Sequence, residues 1–493
     1  MNRTRFPSRA LPPALAWMFS LSPSLWLVAV LLVAIAALFP GLWTLIGLGG
    51  LLVCTLILVR PDVGVYLLAL SIPLGSLYET KVVGNLTLSP TEVLAGLLAV
   101  AWITRALARR RIVIPLTPLF IALVAMISVI ALSAFQATDL ALTAKETLKW
   151  LELLLVYLYV IAEMGTRRQA MTLLGFLFAG ALIEAAIGLV QFSLGIGPDN
   201  FAIGRFMRAY GTFDQPNPYA GYLGMVIPMT VGVLLSRPSP RTRNAVLLVL
   251  LLAAGGVLAS MSRGAWVGIT LAVAAMMVLW SARTRLLLGI GALAVVPAGA
   301  LAFLNLLPVE ITDRVATAVD YFRFIDVSTV TVTPENWSVI ERVAHWQAAL
   351  NMISAHPLLG VGAGNYSAVY SQYMVPGWTL SLGHAHNFYL NMAAETGIPG
   401  LLVYLTVLVV AAIHVVKWLA RSGERQINPR QYLWRGVLAG VLGALVASAV
   451  HNMFDNLFVH GMSIQLGMLL ALAQVAATSL SGQVFNSRSQ PTS

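Results

Sequence analysis

Long apolar runs separated by short polar segments most constrain how this chain folds. A membrane-spanning helix needs about 20 apolar residues, and the chain contains about 14 runs that approach this length. Only 10% of the 493 residues are charged, whereas a soluble domain has about 25%. The runs are continuous rather than alternating, which favours helices over barrel strands. The sequence therefore predicts an all-α polytopic membrane protein with about 12 to 14 transmembrane helices.

One long hydrophilic segment divides these runs. We predict a cytoplasmic N-terminal tail at 1–24, about eleven transmembrane helices at 25–307, a large extracytoplasmic loop at 308–385, about three helices at 386–478 and a cytoplasmic C-terminal tail at 479–493. Within the loop, apolar residues recur every three or four positions over 338–356, which predicts an amphipathic helix on the membrane surface or over a cavity. The glycine-rich GVGAGNY that follows at 360–366 is typical of a turn.

The chain has a net charge of +11, and most of its basic residues are concentrated in particular predicted loops. Lys and Arg gather in cytoplasmic loops of membrane proteins. One self-consistent topology, with both termini cytoplasmic, places the basic clusters inside: Arg105 with Arg109–Arg111, Arg167–Arg168, Arg237 with Arg241 and Arg243, Arg283 with Arg285, and Lys417 to Arg435. The positive charge is then explained by the orientation of the protein in the membrane, with its basic loops in the cytoplasm. No nucleic-acid partner is expected.

Of the nine basic residues that remain on or near the outer face, three arginines stand out. Arg205 and Arg208 lie in GRFMRAYGTFDQPNPYAGY (204–222), and Arg263 lies in SMSRGAWVG (260–268). A guanidinium binds phosphate in a fixed fork geometry and stays charged, so these side chains are candidates for an anion site, with Asn217 lining the same cavity. Alternatively, they extend to the membrane surface or pair with nearby aspartates.

The stretch GHAHNFYLNMAAETGIPG (383–400) is unusually polar for a segment entering a span. Asn387, Asn391 and Glu395 recur every four residues, which predicts a polar stripe facing protein or a water-filled cavity. His386 lies at its mouth, where a neutral imidazole could accept a proton from a hydroxyl nucleophile. The alternative is a histidine that hydrogen-bonds a loop carbonyl.

Two further polar features bear on the same region. HNMFDN (451–456) places His451 and Asp455 in an outer turn, either lining the cavity or forming a hydrogen-bonded helix end. His384 and His386 could form a metal pair, but the sequence offers no convincing third ligand. The single cysteine, Cys54, excludes an internal disulfide and a cysteine metal site. We therefore expect neither metal nor cofactor.

These motifs resemble those of the O-antigen ligase and polymerase superfamily of bacterial inner-membrane glycan transferases. HN at 386–387, followed by nine residues and GIPG at 397–400, matches the ligase pattern HN-x9-G-x-x-G. Similarity extends to three other segments: RAYGTFDQPNPYAGYL (208–223), SRGAWVG (262–268) and RVAHWQAALNMISAHPLLGVGAGNY (342–366). The resemblance covers roughly 170–416. The spans before residue 170 resemble those of the family only in their hydropathy.

The resemblance implies a GT-C-like glycosyltransferase of cell-envelope polysaccharide synthesis. The donor would be a glycan on undecaprenyl diphosphate, and the acceptor would be a hydroxyl of a lipid, glycan or protein at the outer, periplasmic face. Such enzymes use neither a nucleotide sugar nor a metal. On the family pattern, His386 would be the base, and Arg208 and Arg263 would hold the diphosphate. Asn387 belongs to the same motif, whereas Arg205 rests on its position alone.

Other functions remain open at this point. A ligase and a repeat-unit polymerase would present the same cavity and differ in acceptor. A solute carrier, such as a bicarbonate transporter, should show inverted repeats and broken helices with midplane ligands. The sequence shows no repeat, and its polar residues gather at one face, which favours a transferase. An inactive membrane scaffold is a further alternative.

Overall fold

The computed structural model describes residues 42–77, 80–83, 86–110, 114–290, 327, 330–332, 337–424 and 429–481. The predicted N-terminal tail, the predicted span at 25–39 and most of the predicted span at 286–307 lie outside these ranges. So does much of the first half of the predicted extracytoplasmic loop.

Helices account for most of the described residues. In chain order they are α1 (Leu42–Val59), α2 (Pro61–Ser71), α3 (Pro90–Ala108), α4 (Pro118–Leu132), α5 (Leu140–Glu163), α6 (Arg167–Leu194), α7 (Pro216–Leu235), α8 (Pro240–Ala259), α9 (Arg263–Trp280), α10 (Trp337–Ala355), α11 (Tyr366–Tyr373), α12 (Phe388–Glu424), α13 (Pro429–His451) and α14 (Met462–Ser481). Two short antiparallel pairs join β1 (Thr80–Val83) to β2 (Leu86–Leu88), and β3 (Ala202–Ile203) to β4 (Phe206–Met207).

The prediction of an all-α polytopic membrane protein is confirmed. Within the described ranges, nine helices are long and apolar enough to cross a membrane. The predicted amphipathic helix at 338–356 corresponds to α10, and the predicted span at 398–416 lies within the longer α12. The total of about 12 to 14 spans stays a prediction, because several of them lie partly outside the described residues.

Proline and short polar side chains set many of the helix starts. Proline is the first residue of six described helices: α2, α3, α4, α7, α8 and α13. Proline suits this position because its φ is already helical and its missing N–H would have no partner in the first turn. Ser89 and Thr166 begin α3 and α6 with capping boxes that involve Glu92 and Gln169. These residues therefore fix where the helices begin.

Helices α7, α13 and α14 form the centre of the bundle. In α7 and α14, 83% of the membrane span is buried, compared with 22% in α3. Small residues allow close packing: a Cβ on Gly232 of α7 would lie 2.2 Å from the carbonyl oxygen of Gly436 in α13. A Cβ on Gly268 of α9 would likewise lie 2.7 Å from the carbonyl oxygen of Ala447. Such contacts are typical of helix packing in membranes, and they hold α7, α9 and α13 in fixed relative positions.

The glycine-rich turn at 360–366 packs against α12. The backbone N–H groups of Val361 and Gly362 donate to the carbonyl oxygens of Ala394 (2.9 Å) and Glu395 (3.0 Å). Helix α12 bends at Gly397, whose φ of 73° lies in the left-handed region that favours glycine. Because a Cβ there would also lie 2.4 Å from the carbonyl carbon of Leu358, Gly397 lets the loop approach the first turns of α12.

Candidate active site

The candidate residues gather at one end of the helix bundle. Arg208 precedes α7, Arg263 begins α9, His386 precedes α12, and Asp455 follows α13. Contacts between these elements place them at the same end. Oγ of Ser262, just before α9, is 3.3 Å from Nε2 of His451 at the end of α13. The first N–H of α12, that of Phe388, donates to the carbonyl oxygen of Asn452 (2.8 Å), and Asn217 at the start of α7 bonds Asp455. Residues that are up to about 250 positions apart in the chain therefore share one surface.

A narrow cavity at this end is lined by three arginines. Arg208 and Arg263 were predicted from the sequence, and Arg342 comes from α10. Asn217, Ser262 and His451 also line the cavity. Arg263 is 6% exposed, so its charge is poorly screened by water and acts strongly on a nearby anion. The two predicted arginines and the predicted cavity residues Asn217 and His451 thus meet in one place.

Hydrogen bonds hold Arg208 at the cavity and connect it to Asp455. Its Nε donates to the carbonyl oxygen of Ser260 (2.7 Å), and its Nη2 donates to Oδ1 of Asn217 (3.0 Å). The Nδ2 of Asn217 in turn donates to Oδ2 of Asp455 (2.5 Å). Asn217 therefore links an arginine of the cavity with the carboxylate of the turn after α13.

Asp455 also lies beside both histidines of the HAHN stretch. Its Oδ1 is 3.5 Å from Nδ1 of His386 and 3.6 Å from Nε2 of His384. Asp455 is 4% exposed, and burial favours its neutral form. Contact with His386 and the positive charge of Arg342 nevertheless hold the pKa of Asp455 below its ordinary value. Asp455 is therefore an ionised carboxylate facing the imidazole of His386.

His384 supports the backbone of the stretch. Its Nδ1 accepts a hydrogen bond from the N–H of His386 (3.0 Å). Burial and the charge of His386 lower the pKa of His384, against the opposing effect of Asp455. A neutral His384 is the form that this contact requires, because a protonated Nδ1 cannot accept a hydrogen bond.

Two non-glycine residues at the site have left-handed backbone conformations. His386 has a φ of 48°, and Met261, which lines the cavity just before Arg263, has a φ of 52°. Such conformations are sparsely populated and cluster at functional sites, where surrounding structure holds them in place. At Met261 the turn reverses the chain between α8 and α9, and at His386 it directs the chain into α12.

The polar stripe at the start of α12 makes hydrogen bonds to nearby backbone. Oδ1 of Asn387 accepts from the N–H groups of Tyr389 (3.0 Å) and Leu390 (3.1 Å), and so caps the helix. Oδ1 of Asn391 accepts from the N–H of Ala385 (3.1 Å). Oε1 of Glu395 accepts from the N–H of Tyr366 (3.2 Å). Asn391 therefore holds the loop that carries His386 against α12, whereas Glu395 holds the start of α11 there.

Six predicted site residues are not among the described residues that line the narrow cavity: Arg205, His386, Asn387, Asn391, Glu395 and Asp455. Asp455 adjoins the cavity through Asn217, His386 lies beside Asp455, and the other four lie elsewhere. Arg205 is exposed, with its guanidinium carbon 4.9 Å from the centre of the Phe206 ring. A contact between Arg205 or Asn387 and a ligand therefore stays a prediction.

Two residues of α10 were missed by sequence reasoning. Arg342 lines the cavity, and His345 is buried with its ring centre 5.8 Å from that of His386. Nδ1 of His345 is 3.0 Å from the hydroxyl of Tyr366. Burial and the charge of His386 lower the pKa of His345 to about 4. Their spacing of three residues on a helix, which places them on one face, is the signal that could have identified both.

The side chains of His384, His386 and Asp455 form a set that metal ions often use. Their candidate ligand atoms lie within 4.8 Å of one another, so the structure supplies the third side chain that the sequence did not reveal. Both carboxylate oxygens of Asp455 also accept a hydrogen bond, from Asn217 (2.5 Å) and from the N–H of Asn456 (2.8 Å), so each keeps one further lone pair. The arginines of the adjacent cavity would repel a positive ion.

Comparison with known proteins finds a similarity for part of this chain. Residues 248–405 match the family model described as O-antigen ligase, and this segment contains Arg263, Arg342 and His386. Arg208 and Asp455 lie outside it. Comparison with curated proteins gives no match. The chain is a multi-pass membrane protein related, through residues 248–405, to the O-antigen ligase superfamily.

Proposed function

We propose that this protein transfers a glycan from an undecaprenyl-diphosphate carrier to an acceptor hydroxyl at the outer face of the bacterial cytoplasmic membrane. The observation that carries the proposal is the hydrogen-bonded path from Arg208 through Asn217 to Asp455, which faces His386. This path joins an arginine-lined cavity to a candidate base. Glycosyl transfer from a diphosphate needs both a site for the departing anion and an acceptor for the hydroxyl proton.

The cavity has the chemistry of a diphosphate site. Arg208 and Arg263 line it, and each guanidinium group can bind two oxygens of a phosphate at once. The cavity also includes Ser262 and Gly264 at the start of α9, where the N-terminal end of a helix adds a partial positive charge and backbone N–H groups. Gly264 leaves room there, because a Cβ would lie 2.7 Å from Cδ2 of His451.

His386 would act as the base, with Asp455 positioning it. The Nδ1 of His386 faces the ionised carboxylate at 3.5 Å, which favours the tautomer with a proton on Nδ1. The lone pair on Nε2 is then available to accept the proton of an acceptor hydroxyl. As the imidazole becomes positively charged, the negative Asp455 stabilises it, as the carboxylate of a catalytic triad does.

The distribution of basic residues supports an outward-facing site. Arg167 and Arg168 begin α6, Arg237 lies between α7 and α8, and Arg421 lies in the last turn of α12. All four are at the end of the bundle opposite the cavity. Because cytoplasmic ends of membrane helices carry the excess of Lys and Arg, this distribution supports a cavity that faces outward.

Thiol labelling tests this orientation. In a Cys54→Ser background, Leu380→Cys is expected to react with a membrane-impermeant maleimide in intact cells, because Leu380 is 71% exposed at the cavity end. Ser239→Cys, in the loop between α7 and α8, should react only after the membrane is disrupted. The reverse pattern would show that the cavity faces the cytoplasm.

A chelation experiment tests the expected independence from metal. Treating the purified, reconstituted protein with EDTA should leave the rate of glycan transfer unchanged, because the proposed base is a neutral imidazole and the proposed anion site is built from guanidinium groups. Loss of transfer that Zn²⁺ or Mn²⁺ restores, and that His384→Ala abolishes, would instead assign a metal to the set formed by His384, His386 and Asp455.

Reconstitution of the purified protein in liposomes tests the function itself. The donor is a prenyl-diphosphate glycan, and separate samples contain a glycolipid acceptor, a protein acceptor or only further donor. A single glycan added to the glycolipid or protein supports a ligase, whereas a ladder of repeats from donor alone supports the polymerase of the same superfamily. Absence of transfer in all samples, with uptake of bicarbonate into the liposomes, would replace the proposal by a transporter.

A further inference from the structure

We infer that Arg342, on the loop helix α10, is a third anion-binding residue, and that it binds the charge that appears on the diphosphate when the glycan leaves. This inference rests on the proposed function and goes beyond the two arginines already assigned to the diphosphate. Its basis is the position of Arg342 in the lining of the cavity, together with Arg208 and Arg263.

Packing of α10 brings Arg342 to this position. The neighbouring side chains Ile340, Val343 and Ala344 are at most 2% exposed and belong to one apolar cluster that includes Leu390 of α12. The backbone of α10 is thereby fixed against the helix that follows His386. Arg342 is also close enough to Asp455 for its charge to contribute to the lowered pKa of that carboxyl. The loop helix is therefore part of the cavity wall.

The number of charges distinguishes the donor from the product. In the donor, the diphosphate is esterified at both ends, by the lipid and by the sugar, and carries two negative charges. When the acceptor hydroxyl attacks, a bond forms between its oxygen and the sugar carbon, and the bond from that carbon to the phosphate oxygen breaks. The electron pair stays on this oxygen, and the hydroxyl proton moves to His386. The released lipid diphosphate then has an additional ionisable oxygen, which is largely charged at neutral pH.

Three guanidinium groups match this product better than the donor. Among the described residues that line the cavity, three are arginines and none is a carboxylate. Two arginines suffice for the two charges of the donor. A third, placed before the reaction begins, stabilises the charge that develops as the bond breaks, and interactions that are stronger in the transition state than with the substrate raise the rate. The arrangement assigns this task to Arg342.

Binding of two short prenyl probes tests the inference without requiring turnover. One probe is farnesyl diphosphate, and the other is farnesyl diphosphate carrying N-acetylglucosamine on its terminal phosphate. Titration of the purified wild-type protein, followed by calorimetry, should show tighter binding of the free diphosphate. Arg342→Gln is expected to weaken binding of the free diphosphate about 10-fold or more, and to weaken binding of the glycosylated probe much less.

Two further variants control for a general loss of positive charge and for misfolding. Lys145→Gln removes a positive charge from α5, which does not line the cavity, and should leave binding of both probes unchanged. If Arg342→Gln does not fold, as judged by its melting temperature without ligand, Arg342→Lys replaces it. Lysine keeps the charge but lacks the fork, so a smaller loss confined to the free diphosphate is expected.

The inference is overturned if Arg263→Gln weakens binding of the probes and the Arg342 variant does not, or if the Arg342 variant weakens both probes equally. In either case, the proposed diphosphate site stands. If the wild-type protein binds neither probe, or if Arg208→Gln and Arg263→Gln bind both as wild type does, the diphosphate site of the proposed function itself is wrong.

Discussion

Replacing His386 is expected to leave a folded protein that transfers glycan about 10²- to 10⁴-fold more slowly, the range typical for loss of a general base. His386 has a φ of 48°, and asparagine adopts this left-handed conformation more readily than alanine. His386→Asn is therefore the better variant, since it removes the basic imidazole with the least change in backbone. The rate is measured with the purified protein in liposomes, with donor and acceptor saturating, and folding is checked by thermal melting.

Variants of the two neighbours show whether His386 acts as a base that Asp455 positions. Asp455→Asn is close in shape but uncharged, so transfer should fall because the imidazolium is no longer stabilised. His384→Ala should reduce transfer less, since His384 supports the backbone N–H of His386 and is not proposed to take the proton. Full activity of His386→Asn would exclude the base. Inactivity of His384→Ala alone would assign that role to His384.

Arg263→Lys is expected to reduce transfer about 10²- to 10³-fold, the loss typical when one contact to developing charge is removed. Lysine keeps the positive charge but not the planar fork that binds two phosphate oxygens. Because Arg263 is 6% exposed at the first turn of α9, water has little access there to replace the phosphate contacts that lysine does not make. The measurement is the rate of transfer over a range of donor concentrations.

An arginine that only extended to the membrane surface would behave differently. Lysine extends in the same way, so normal transfer by a normally melting Arg263→Lys protein would exclude the diphosphate contact. Arg205→Lys provides a comparison from the same face of the protein. Arg205 is exposed and lies over Phe206, and its effect on transfer decides whether the predicted contact of Arg205 with the donor exists.

Local patterns in the sequence predicted much of the fold. Membrane helices can be recognised from the length of their apolar runs. Crossing the bilayer requires about 20 apolar residues, whichever helices pack around the span. The predicted span at 218–236 therefore agrees closely with α7, Pro216–Leu235. The spacing of four residues between Asn391 and Glu395 likewise placed them on one face of α12, where both meet backbone of the preceding loop.

What the sequence by itself determined was the class of the fold and the identity of most candidate residues: His386, Arg208 and Arg263 are unusual where they occur, and this is visible without a structure. Only the tertiary structure decided that Asn217 joins Arg208 to Asp455, that Asp455 faces His386, and that Arg342 completes the cavity. The physical reason is that these contacts connect distant segments. They depend on the close approach of α7, α9 and α13 through glycine and on the packing of α10 against α12, and neither leaves a periodic signal in the local sequence.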